Sequence, residues 1–269
     1  YQVIARAPRR WWLWGTGVVG VFAFLAVMIA PVFIAPLFNT YTELEEGPLR
    51  DKIVAIAAQH DIPAEHIYVF DQSKQHKRVS ANVSGFGPTI RISLNDNLLE
   101  RTSEAEILAV MGHEMGHYRL NHGHTRVLGM LLIVGLGLFV ASRLAPWLIA
   151  RHGQRWGVRD LADPASMPVL GIVLAVFMML ATPAFNNLTR WQENEADAFG
   201  LDAAREPDGF ARAAMRLSEY RKIEPGALEE FLFYTHPSGE NRVRRSMQWK
   251  ADNVPGAQIE VPPAGYLDQ

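Results

Sequence analysis

Three long apolar blocks alternate with stretches of mixed polarity along the chain. No charged residue lies between Arg10 and Glu43 or between Asp163 and Arg190, and Arg143 alone interrupts the block from Val127 to Ala150. A bilayer core needs about 20 apolar residues. Trp11 to about Pro36, Val127–Ala150 and Pro168–Leu188 are therefore predicted as about three transmembrane helices. Trp11, Trp12 and Trp14 read as an aromatic belt at the membrane surface, and Pro31 and Pro36 as the points where the first helix kinks or ends. Arg143 is expected to snorkel toward an interface. The second and third blocks form a hairpin, with Arg151–Asp163 as its polar loop, so the segments before and after it are predicted on one side of the membrane.

The intervening stretches change period. Ile53, Ile56 and Ala57 are spaced as on a helix, which is predicted over Leu49–His60 and broken at Asp61. Ile67–Phe70 reads as a strand and the small, Asn-bearing run Ser80–Gly87 as a loop. Thr89–Leu94 alternates, with Ile90, Ile92 and Leu94 on one face, and is predicted as an edge strand to which an extended peptide could add. Thr102 or Ser103 caps the next helix, which has Glu104 and Glu106 in its first turn. After the third block, Arg190–Gly200 and Asp202–Tyr220 are read as helices, and the tail from Asp252 as ordered only in part.

This divides the chain into a membrane segment (1–38), a first catalytic part (39–126), a membrane hairpin (127–188), a second catalytic part (189–250) and a tail (251–269). The chain opens at Tyr1 and is expected to lack an N-terminal portion. Net charge is −2, which gives no footprint for a nucleic-acid partner. Cysteine is absent, so disulfides and thiolate metal sites are excluded, and His, Glu and Asp remain as ligands.

Candidate chemistry centres on His113-Glu114-Met115-Gly116-His117. At i and i+4 the two imidazoles share one helix face and can hold one zinc, which lowers the pKa of a bound water to roughly 7. Glu114 is placed to take that water's proton. An open catalytic zinc site needs three protein ligands. In the run Arg190–Gly200 an acid could supply the third: Glu193 and Asp197 share a face, and Glu195 is turned about 200° from Glu193. His236 taken alone reads as a packing or surface residue.

Taken together, HEMGH, two apolar spans, ENEAD (193–197) and THPSGENR (235–242) resemble the M48 metallopeptidases. FIAPLFN (33–39), EGPLR (46–50), SANVSGFG (80–87) and IRISLNDNLLE (90–100) narrow the resemblance to the Ste24 type, the integral-membrane CAAX prenyl proteases. The resemblance runs from about Tyr1 to about Arg245. It implies a mainly α integral membrane protein carrying a zincin-like α+β catalytic domain with a small sheet. It implies one zinc on His113, His117 and Glu193, with Glu114 as general base. By the same resemblance Asp197 orients a liganding His, pairs with Arg242 or donates a proton, His236 stabilises the oxyanion, and Asn82 touches the substrate. His122 and His124 are read as a helix end.

The implied partners are a peptide or protein substrate, lipidated, and membrane lipid. The implied place is a bacterial inner membrane, or the endoplasmic reticulum in a eukaryote. The resemblance puts the catalytic side in the cytoplasm, whereas Arg6, Arg9, Arg10, Arg151, Arg155 and Arg159 on the opposite flanks favour the reverse. Two other functions compete: a quality-control protease of the HtpX kind, and a non-proteolytic metal-binding or transport protein. Transport predicts ionisable residues inside spans, and Arg143 alone qualifies.

Overall fold

The computed structural model describes residues 1–85, 90–218 and 222–257. In chain order the elements are α1 (Gln2–Arg6), α2 (Trp11–Ile29), a π-helical turn (Ala30–Ile34), α3 (Ala35–Phe38), β1 (Tyr41–Glu43), α4 (Pro48–Gln59), β2 (Ile67–Phe70), β3 (Ala81–Ser84) and β4 (Arg91–Asn95). Then follow α5 (Asp96–Arg101), α6 (Glu104–Arg119), α7 (His122–Trp156), α8 (Met167–Ala204), α9 (Pro207–Leu217), α10 (Ala227–Phe233) and α11 (Gly239–Asn253). Two units divide them. One comprises Tyr1–Val27 with His124–Leu188, the other Met28–Gly123 with the chain from Thr189 onward.

In the first unit α7 and α8 are long and apolar enough to cross a membrane, and α2 is a shorter apolar helix. Only 17% and 11% of their most apolar windows is buried, the reverse of a core helix in water-soluble packing. Where these helices meet, small residues permit close approach. A Cβ on Gly137 would stand 2.8 Å from the Phe177 ring, and one on Gly135 3.3 Å from Thr16. As expected, the first block is interrupted near its prolines: α2 gives way to a π turn over Ala30–Ile34 and then to α3, which ends at Phe38. It departs from expectation at Trp11, which is buried with Ile4, Ala141 and Val173, so only Trp14 stays well exposed as a belt residue would. Arg143 is exposed, its guanidinium over the Phe139 ring at 5.2 Å. The hairpin loop is shorter than predicted, because Arg151–Trp156 continue α7 until Gly157 takes a positive φ of 69°.

The second unit holds a four-stranded sheet in the order β1-β2-β4-β3. β2 and β4 run parallel, and β1 and β3 pair antiparallel at either side. The predicted edge strand is therefore interior: Ile92, Ser93 and Leu94 are all buried, and β4 lies between β2 and β3. The edges are β1 and β3, and β3 is formed by four residues of the predicted Ser80–Gly87 loop. Its four residues do alternate, with Ala81 and Val83 packed into the core, but the run is too short and its side chains too small to stand out from a loop. Thr89, Phe86 and Gly87 lie outside the described residues. Ile53, Ile67, Ile92, Leu94, Leu98, Met111 and Met115 join helices and sheet in one core.

Two helix boundaries also differ from the prediction. The third apolar block and Arg190–Gly200 form one helix, since a change of polarity at Leu188 does not interrupt backbone hydrogen bonding. That helix ends at Ala204, where Arg205 takes φ 55°, so the predicted Asp202–Tyr220 helix is α9 preceded by the last turn of α8. Tyr220 and the tail from 258 lie outside the described residues.

Candidate metal centre

Ser103 caps α6 and closes a capping box with Glu106. Thr102 instead bonds the Leu98 carbonyl at 2.5 Å. Glu106 is buried and also accepts from Arg216 Nε at 2.6 Å, tying α6 to α9. Further along, α6 crosses α8 on glycines. A Cβ on Gly200 would lie 2.7 Å from His113 N, and one on Gly116 3.1 Å from Ala196 Cα. This close approach sets the HEMGH turn directly against ENEAD.

At the crossing, ligand-type atoms of His113, His117 and Glu193 all lie within 4.8 Å of one another. His113 Nε2 is 3.1 Å from His117 Nε2 and 3.4 Å from Glu193 Oε2, and His117 Nε2 is 3.4 Å from Glu193 Oε1. Two imidazole nitrogens and a carboxylate pointed at one spot form an arrangement that a cation would hold together.

Around this cluster stand the other residues singled out in the sequence. Asp197 is fully buried. Its Oδ1 lies 2.8 Å from His113 Nδ1, and it receives Arg242 through Nε at 3.0 Å and Nη2 at 2.6 Å. The two expected contacts of Asp197, to a histidine and to Arg242, thus coexist. Burial alone would depress the His113 imidazole, but the Asp197 and Glu193 carboxylates outweigh it and hold the metal-free group up at about 9. Burial raises the Glu114 carboxyl above its ordinary value, with His113 and His117 opposing. His236 Nε2 lies 3.5 Å from Glu193 Oε2, and its Nδ1 is 2.9 Å from Thr235 Oγ1.

A cavity of about 200 Å³ opens beside the cluster. His113, Glu114, His236 and Arg242 form its polar wall, and Val110, Phe210, Ala213 and Leu217 its apolar one. Asn82 sits on the edge strand opposite Ser93, beside the lining residues Ser80 and Ala81 but not itself in the lining.

His122 stands at a helix end, as expected, being the first residue of α7, and it also lies against the cluster. Asn121 takes φ 56° between α6 and α7, which folds the chain back and buries His122 against the cluster. His122 Nδ1 is 2.9 Å from His117 Nδ1, and its Nε2 is 3.3 Å from Glu195 Oε2. A five-residue separation carries no helical-face signal, so spacing gave no means of finding it. His124 has no place in this cluster.

A family model for peptidase family M48 matches residues 43–250, and a model described as CAAX prenyl protease N-terminal, five membrane helices, matches residues 1–40. The chain is 30% identical over 260 residues to the metalloprotease YhfN of Bacillus subtilis, described as uncharacterized, covering 96% of this chain and 61% of that one. It is 31% identical over 215 residues to a CAAX prenyl protease 1 homolog of rice, Oryza sativa subsp. japonica, covering 77% and 48%. The crystal structure of S. mikatae Ste24p superposes with a TM-score of 0.78 at 25% identity, covering 91% of this chain and 60% of that one. The chain thus spans between about half and three fifths of these proteins.

Proposed function

Because the chain belongs to peptidase family M48, we propose that it is a zinc-dependent membrane endopeptidase. Its substrates are membrane-associated proteins of the prenylated CAAX type, hydrolysed near their C-terminus. The observation that carries this reading is the convergence of the donor groups. A tetrahedral zinc with bonds of about 2.0–2.1 Å holds its ligand atoms about 3.3–3.4 Å apart; the Nε2 atoms of His113 and His117 are 3.1 Å apart, and each lies 3.4 Å from one of the two Glu193 oxygens. Two histidines and one carboxylate also leave a fourth position open, as catalytic sites require.

Zinc, when bound there, supplies the Lewis acidity that polarises a peptide carbonyl and acidifies water. Glu114 takes the proton of the attacking water and passes it to the leaving amine, a task helped by a carboxyl made more basic through burial. His236 donates through Nε2 to the charge developing on the carbonyl oxygen. Asp197 keeps the His113 ring turned toward the metal, and Arg242 holds Asp197. The peptide adds to the free edge of β3, beside Asn82 and the cavity. A lipid-modified tail concentrates in the bilayer that α7 and α8 are apolar and long enough to cross, which raises its local concentration for a protein held in the same membrane. We place the protein in a bacterial inner membrane with the site facing the cytoplasm, in keeping with the family.

The test is zinc content together with cleavage of a farnesylated CAAX peptide and its unprenylated twin, for wild type and Glu114→Gln. We expect one zinc in both proteins and cleavage only by wild type, faster for the farnesylated peptide. Equal cleavage of both peptides would instead assign a general quality-control peptidase, and cleavage that survives Glu114→Gln would overturn the mechanism.

A further inference from the structure

The two histidines of the metal centre are supported in different ways, and the second support is unassigned. Asp197 contacts His113 directly. His117 faces another imidazole, His122, at 2.9 Å between Nδ1 atoms. Two unprotonated nitrogens at that distance would repel, so one of them must donate. His117 needs the lone pair of Nε2 for a metal, which places its proton on Nδ1. The acceptor is then His122 Nδ1, and the proton of His122 must sit on Nε2, the atom 3.3 Å from Glu195 Oε2. His122 is 3% exposed, and its backbone carbonyl receives Gln192 Nε2 at 3.5 Å, which ties this start of α7 to α8.

From this geometry we propose that Glu195 and His122 are positioning residues. Through two successive hydrogen bonds they fix the tautomer and orientation of His117, as Asp197 does for His113. The proposal rests on reading His113, His117 and Glu193 as the zinc site. It gives two acids two residues apart on α8 separate tasks. Glu193 is aimed at the metal position, and Glu195, on another face of the helix, is aimed at the imidazole behind His117.

Zinc affinity of the full chain in detergent, measured by chelator competition, tests the proposal, together with the visible absorption of the cobalt-substituted protein as a report on ligand geometry. His122→Phe keeps the ring volume and loses the acceptor; we expect zinc bound 10–100-fold more weakly and an altered cobalt spectrum. His122→Asn keeps an acceptor beside His117 Nδ1 and should recover most of the affinity. Glu195→Ala, at a partly exposed position with little risk to folding, should weaken zinc several-fold, and Glu195→Gln should stay near wild type. The proposal is overturned if both His122→Phe and Glu195→Ala bind zinc within twofold of wild type. It is equally overturned if His122→Asn is as weak as a folded His122→Phe. If His122→Phe does not fold, Glu195→Ala against Glu195→Gln decides. Wild type must bind one zinc that His117→Ala loses; failure of that control sinks the zinc reading itself, whereas a normal control with unaffected variants sinks only the His122–Glu195 assignment.

Discussion

Asp197 carries two obligations at once: it faces His113, and it neutralises a guanidinium that is itself buried. Replacing it by alanine leaves Arg242 charged and unpaired in the interior. We expect a loss of about 3–5 kcal/mol of stability in urea melts of the metal-free protein, and zinc bound about 10–100-fold more weakly. Glu106 gives a pH signature away from the metal. Burial alone would raise its carboxyl, but the Ser103 N–H and Arg216 outweigh this and hold it below the ordinary 4.5. Its stabilising contribution, about 1–2 kcal/mol, is therefore complete above the unfolded value and disappears as pH falls through the lower folded one. The stability gap between wild type and Glu106→Gln should shrink from pH 6 toward pH 3; a gap constant over that range would refute the assignment. The helical repeat made His113, Glu114 and His117 legible as one constellation. His122 was not legible, because its approach depends on one left-handed residue, Asn121, whose backbone angle no spacing rule announces.

The crossing of α6 and α8 depends on glycine at positions where a methyl group would strike backbone. Gly200→Ala sets a Cβ 2.7 Å from His113 N, so the helices must part. We expect about 1–3 kcal/mol of destabilisation by overpacking and weaker zinc binding, measured by thermal melting with and without metal. On the sheet, Asn95 N donates to Ser80 O at 2.9 Å, which sets Ser80, Asn82 and Ser84 as the residues bonded to β4. The N–H of Val83 then points away from β4, toward the edge where a peptide would add. Val83→Pro should lower kcat/KM about tenfold through loss of one such bond of roughly 1–1.5 kcal/mol, with zinc binding unchanged; unchanged kcat/KM would argue against strand addition. Apolar periodicity located α4, β2 and the membrane helices. It missed β3, whose alternation spans only the four small residues ANVS, and it placed β4 at the edge because strand order depends on chain crossings invisible to a local pattern.

Within the protein as a whole, metal and fold are linked. Zinc at 100 times its dissociation constant should add about 2.7 kcal/mol to stability, and chelation or His117→Ala should remove that gain; a chelator-insensitive melting point would contradict the site. The donor set also joins two separated lengths of chain. His117 precedes Glu193 by 76 residues, and the whole apolar hairpin lies between them. A ribosome adding about 5–20 residues per second therefore finishes the two histidines roughly 4–15 s before the acid that completes the set. On the proposed reading, the nascent chain through that interval offers two of the three ligands. A complete donor set, and with it any hydrolysis, then waits until the whole apolar hairpin has been synthesised.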